Sequence, residues 1–360
     1  MAKVIVACVQ QRMRIYESHE EYRQDVHRFL QMAVSKGALL AVFPELSGLM
    51  LAPPLISGLR VGLLRTADRE STQPSSVLGK MVGKVAGSAA SALGGLGRGL
   101  LALLNEHSRE LESSYLEVFS QAARHFKIYI VGGSLYLHDE TKGATRHVSY
   151  LFAPDGRAMG RQEKVSLYLE DENFCTPGES FHVFPTEIGR LGILIGTESL
   201  YPESARILAF QGAEALINIA ACPGEALFNK VHHAFQARVQ ENQLLGVQSF
   251  LVGKNTLSQI SRADYVGRSA IFAPLEMTKQ NSGVLVEVGA LSSEGLIAAV
   301  WDFDALRALW ENSDTPLRRT LNASTYRRHL PGIYAQGRTI EEIYAALSRR
   351  STPEKDADKK

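Results

Sequence analysis

One stretch constrains this chain more than any other: Leu191-Gly192-Ile193-Leu194-Ile195-Gly196-Thr197-Glu198-Ser199-Leu200-Tyr201-Pro202-Glu203. It opens as a short apolar run, the pattern of a buried strand, and closes on Pro202-Glu203, the pattern of a first helical turn. A strand feeding a helix through a sharp turn belongs to an α/β architecture. The tip of such a turn is where α/β hydrolytic enzymes display a nucleophile. The residue at this tip is Gly196, which has no side chain.

The rest of the pattern agrees with the α/β class. Apolar runs at 4–9, 38–43, 127–134, 148–153, 191–195, 214–219, 247–252, 268–273 and 283–300 read as strands. Segments 18–36, 109–126, 202–211 and 226–246 read as helices. The 360 residues suffice for one large α/β domain. A formal net charge of +1 supplies no basic face for a nucleic acid. Cys8, Cys175 and Cys222 lie far apart, so neither a disulfide framework nor a structural zinc site is expected. Sparse cysteines and a start that runs directly into a strand give the expectation of a cytoplasmic protein.

Two segments stand apart. Residues 53–105 are rich in Gly, Ala, Ser and Leu and read as an insertion or lid within a domain covering 1–330. A membrane-surface or oligomer contact through 79–104 is the alternative, since Lys80, Lys84 and Arg98 accompany the apolar run. Residues 331–360 read as a C-terminal extension with a disordered, charged end.

Three charged residues are candidates for chemistry, although each has an ordinary structural explanation. Glu45 follows the second strand directly, where α/β sheets bind ligands, but a loop or helix-capping charge is an equal reading. Lys164 lies among mixed charges, the usual mark of a solvated face. Glu172 lies in an acidic loop that ends in Pro177-Gly178.

Taken in order and spacing, these motifs make the chain resemble the nitrilase superfamily, the carbon–nitrogen hydrolases, over most of 3–330. They are Phe43-Pro44-Glu45, Lys164 with Glu172 eight positions on, and Gly192–Glu198 leading to Tyr201-Pro202-Glu203. Gly212–Ile217, Arg238-Val239-Gln240-Glu241-Asn242 and Gly267–Pro274 complete the series. The resemblance implies a four-layer αββα sandwich and a Glu–Lys–Cys site. It assigns the general base to Glu45, oxyanion stabilisation to Lys164, and substrate positioning to Glu172. The attacking cysteine would fall at Gly196, followed by Thr197 and Glu198 beside the substrate. It also implies a homo-oligomer and no cofactor.

A thiolate divides amide hydrolysis into two easier steps through a thioester, and glycine can do neither. Loss of a nucleophile from a site of this kind removes on the order of 10⁶ in rate. The first expectation is therefore a non-catalytic member. Its pocket would hold a small molecule bearing an amide, amine or carboxylate, with Gly196 leaving room for it, or would serve assembly. The alternative is an active hydrolase with a relocated nucleophile, Cys222 at the end of a strand or Cys175 beside Glu172. Cys8 sits inside the first strand as core. His232 and His233 lack a third ligand at metal-binding spacing, so no metal is expected.

Overall fold

Two-residue alternation sorts the strands into layers. In β1 (Lys3–Arg12), Val4, Val6 and Cys8 join one apolar core while Ala7 and Val9 join another. β2 (Leu40–Val42) repeats the division, with Leu40 and Val42 on one face and Ala41 on the other. These elements come from a computed structural model whose described residues are 3–52, 96–139, 141–168, 171–255, 263–335, 337 and 339–342, with side chains described outside 96–106.

The remaining strands are β3 (Tyr129–Asp139), β4 (Ala144–Phe152), β5 (Ala158–Glu163), β6 (Val183–Thr186), β7 (Gly189–Ile195) and β8 (Ala215–Ala221). β9 (Leu245–Val252), β10 (Ala270–Phe272), β11 (Val284–Glu287) and β12 (Gly295–Asp302) follow. They run in the order β5-β4-β3-β2-β1-β9-β8-β7-β6. β12 pairs with β1, β10 with β9, and β11 with β10. β1 meets β9 only through Gln11 and Arg12, so the ribbon folds there into two facing sheets.

Between those sheets lies one core, with Val4, Val6, Leu40, Val42 and Val131 from one side and Leu191, Ile193, Ile195, Ile217 and Val247 from the other. Outside the first sheet pack α1 (His19–Ser35) and α2 (Leu96–Phe126), through Tyr22, Phe29, Leu30, Tyr115 and Phe119. Outside the second pack α3 (Pro202–Phe210) and α4 (Glu225–Asn242), through Leu208, Phe235 and Val239. Each fully buried side chain of this size stabilises the fold by about 1.5–3 kcal/mol relative to exposure. This is the expected four-layer αββα sandwich. α5 (Phe303–Asn312) seals the inter-sheet core at one end with the buried Phe303 and Leu306.

Some boundaries differ from the sequence expectation. The helix expected from 109 begins at Leu96, so 96–105 extends it, with a break at His107 (φ −114°, ψ 18°). The helix expected to reach 246 stops at Asn242 because Gln243 takes a left-handed φ of 47°. The run 283–300 is two strands, β11 and β12. The lid and membrane-surface readings of 53–105 fall mostly on 53–95, outside the described residues. Among the described residues, no helix is long and apolar enough to cross a membrane.

The chain divides into Met1–Asp314 and Thr315–Lys360, ahead of the expected boundary at 330. In the second unit, α6 (Leu317–Thr320) and α7 (Ala323–Ala335) bury no residue, and Tyr326, Ile333 and Tyr334 are half exposed.

Candidate functional site

Parallel pairing carries several strand ends to one place. β3, β2, β1, β9, β8 and β7 run parallel in succession. β5 regains their direction through two antiparallel steps. Glu45 after β2, Lys164 after β5, Gly196 after β7 and Ala221 at the end of β8 therefore lie at the same edge, where sheets of this kind bind ligands.

The Glu45 turn is fixed by backbone contact. Leu46 takes a φ of 63°, and its N–H donates to Ser134 Oγ at 2.9 Å. Gly133 on β3 has φ +74°, and a Cβ there would stand 2.3 Å from the Pro44 carbonyl oxygen. Only glycine permits that approach.

At the centre, Lys164 Nζ donates to Glu45 Oε1 at 3.1 Å and to Asp171 Oδ2 at 2.6 Å. All three residues are about 95% buried. Glu45 Oε2 accepts the Ala221 N–H at 2.7 Å. Asp171 Oδ1 accepts from the Tyr136 hydroxyl at 2.8 Å. Burial alone would push the Lys164 ammonium down, but the two carboxylates raise it well above the ordinary lysine value. Burial likewise opposes the Asp171 charge, yet Lys164 and His147 hold its carboxyl far below the usual range. His147 Nε2 pairs with Ser134 Oγ at 2.8 Å. Its Nδ1 stands 3.9 Å from Glu45 and 3.7 Å from Asp171, buried and beyond hydrogen-bond distance of any partner among the described residues.

Gly196 follows β7 at φ +60°, its backbone against Glu45. A Cβ on it would lie 2.5 Å from Glu45 Oε1 and 2.8 Å from Oε2. The expectation that Gly196 leaves space is thus corrected: the Glu45 carboxylate stands where a side chain would begin.

The other expected site residues are placed as follows. Glu172 is exposed, and its neighbour Asp171 takes the buried position on Lys164. Glu198 is fully buried and faces the protein, not a pocket. Its carboxylate accepts the Val165 and Ser166 N–H groups at 2.7 and 3.1 Å and the Ile195 N–H at 2.7 Å. That one side chain ties the segment after Lys164 to the strand before Gly196. Burial pushes it up to about 7 against those three hydrogen bonds. Thr197 is buried, and its hydroxyl has no hydrogen-bond partner among the described residues.

Cys222 is buried, and burial with the nearby Glu45 charge pushes its thiol far up. Cys175 is half buried, and burial followed by Asp171 raises it too. Cys8 is core and donates to the Gln248 carbonyl. No cluster of three potential metal ligands occurs among the described residues.

Sequence reading missed Asp171, His147 and Tyr136. The run Glu170-Asp171-Glu172 announces an acidic loop, but not which carboxylate turns inward. His147 and Tyr136 are cross-strand neighbours of β4 and β3, a pairing visible only in the sheet register.

The family model for carbon-nitrogen hydrolases matches residues 5–282. The chain belongs to the carbon-nitrogen hydrolase family. Among its relatives, a probable hydrolase YhcX of Bacillus subtilis is 27% identical over 56% of the chain and only 39% of its own length. Omega-amidase NIT2-A of Xenopus laevis is 25% identical over 61% of the chain and 78% of its own length. The carbon-nitrogen hydrolase of Helicobacter pylori G27 superposes with a TM-score of 0.64 at 19% identity, covering 91% of this chain and 98% of that one. Nit3 of Saccharomyces cerevisiae, a member of branch 10 of the nitrilase superfamily, gives 0.61 at 19%, covering 89% and 97%. At these identities, the solved structures establish the fold of this carbon-nitrogen hydrolase family member.

Proposed function

We propose that this family member does not hydrolyse amides through a thiol and that its buried charged cluster binds a small polar molecule. The observation that carries the reading is the contact between Gly196 and Glu45. The turn after β7 offers bare backbone, and the carboxylate that would serve as base already lies against it. By contrast, an amidase of Nesterenkonia sp. AN1 with this fold adds the acetamide moiety of fluoroacetamide covalently at its active-site cysteine. Here the three cysteines are held as thiols by burial, two of them further by adjacent carboxylates.

Binding is supported by groups with capacity to spare. The Lys164 ammonium has three protons, two of them given to Glu45 and Asp171. The His147 Nδ1 and Thr197 Oγ1 atoms are buried without hydrogen-bond partners among the described residues. Such donors suit an amide or carboxylate oxygen, and Glu45 suits an amine. The test is titration calorimetry with short carboxamides, ω-amides, amines and carboxylates, beside an ammonia-release assay on the amides. Binding that Lys164→Met abolishes, with no turnover, is the expected result. Turnover lost on Cys222→Ser would replace this reading with a relocated nucleophile.

Homo-oligomerisation belongs to the same proposal. α3 exposes Ile207 (43%) and Phe210 (66%), next to Tyr201 (41%). A second copy covering this face would remove a patch that water penalises. Phe210→Glu is then expected to lower the sedimentation coefficient. A reducing, cytoplasmic setting fits the three unpaired thiols.

A further inference from the structure

A buried chain of polar side chains runs from the Gly196 turn towards the surface on the side away from the charged cluster. Asn218 on β8 donates from Nδ2 to the carbonyls of Leu194 and Gly196, at 3.2 and 3.0 Å. Gln248 on β9 donates from Nε2 to Asn218 Oδ1 at 2.8 Å. Its Oε1 meets His232 Nδ1 on α4 at 3.0 Å. His232 Nε2 stands 3.2 Å from Glu287 Oε1 on β11. Asn218 and Gln248 are fully buried and His232 is nearly so, while the Glu287 side chain is 30% exposed.

The direction of every bond in this chain is forced. Two carbonyls can only accept, so Asn218 must turn its amide nitrogen to them and its oxygen to Gln248. Gln248 must then turn its own oxygen to His232, which fixes the imidazole proton on Nδ1. The chain has an acceptor at each end, the Gly196 carbonyl and the Glu287 carboxylate. With a neutral ring and an ionised Glu287, one contact must set acceptor against acceptor. One additional proton, on His232 Nε2 or on Glu287 Oε1, satisfies all of them.

We infer that the Asn218–Gln248–His232 chain is a positioning relay, in which a proton held between His232 and Glu287 sets the hydrogen bonding of the Gly196 carbonyl. Loss of that proton leaves two ways out. The ring and carboxylate separate, weakening the donors behind them through a polarised chain. Otherwise the ring changes tautomer and Gln248 and Asn218 flip in turn, taking the donors away from Leu194 and Gly196. Either way the turn that faces Glu45 senses a titration near the surface.

The surroundings of the pair are mixed. Phe228, Phe250 and Phe272 enclose the His232 ring. His233 and Arg268 add positive charge, and Arg268 lies 4.0 Å from Glu287. Burial lowers His232 to about 4 and raises Glu287, so desolvation moves the two groups towards each other.

The sequence supplies a clean readout that needs no ligand and no activity. Gly196-Thr197 is the only Gly–Thr pair in the chain. Protein labelled with carbonyl-¹³C glycine and ¹⁵N threonine gives one HNCO correlation, that of the Gly196 carbonyl. This resonance is expected to move with pH in a single step, at the midpoint of the His232 ring titration. Glu287→Gln keeps a donor against His232 Nε2 at every pH, so the step should vanish with the resonance near its low-pH position. A Gly196 carbonyl indifferent to pH while the His232–Glu287 pair titrates, or an unchanged step in Glu287→Gln, would overturn the relay.

Discussion

Glu45 Oε1 lies 2.5 Å from the point where a Cβ on Gly196 would be built, and the Gly196 backbone has φ +60°. The two facts exclude an ordinary side chain at 196 for separate reasons. Left-handed backbone costs an L-residue about 1–2 kcal/mol, and overpacking a filled site typically costs about 1–3 kcal/mol more.

Gly196→Ala should therefore destabilise the protein by about 2–4 kcal/mol in urea unfolding. The steric part depends on Glu45, so Glu45→Ala with Gly196→Ala should cost less than the sum of the single changes, by ~1 kcal/mol. Strict additivity would show that Glu45 does not fill this space.

The acidic loop offers a direct comparison. Asp171→Asn removes one of two partners from a buried ammonium and should cost ~3 kcal/mol. Glu172→Gln alters an exposed carboxylate and should stay within about 0.5 kcal/mol. Equal losses, measured by denaturant titration, would return Glu172 to the site.

Glu198 predicts a pH dependence of stability. Its folded value is about 7, against about 4.3 for an ordinary glutamate. A carboxyl raised on folding binds its proton more tightly in the folded state. Its contribution is full below the unfolded value and is lost as pH rises through the folded one. The stability difference between wild type and Glu198→Gln should thus shift against wild type by ~3 kcal/mol between about pH 4.5 and 8. A difference that stays constant across this window would show that Glu198 is ionised throughout.

Much of the fold was legible because strand alternation and helix period carry local information. Val4, Val6 and Cys8 against Ala7 and Val9 already state two buried faces. The Glu45, Lys164 and Gly196 positions were legible because each directly follows a strand. Asp171 was hidden because period-two logic ends with β5, and a loop of three acids has no face. Glu198 was read as a substrate contact, whereas its carboxylate is consumed by three backbone N–H groups from two segments. That partnership depends on long-range chain placement. The space at Gly196 was misjudged for the same reason, since Glu45 lies far away in sequence and adjacent in the fold.

The central claim, a site without thiol attack, is tested most directly by intact-protein mass spectrometry after incubation with fluoroacetamide and with short amides. The account predicts an unmodified mass under native conditions and alkylation of Cys8, Cys175 and Cys222 only after unfolding. A rapid, stoichiometric adduct on native Cys222 or Cys175, lost on replacing that cysteine with serine, would contradict it.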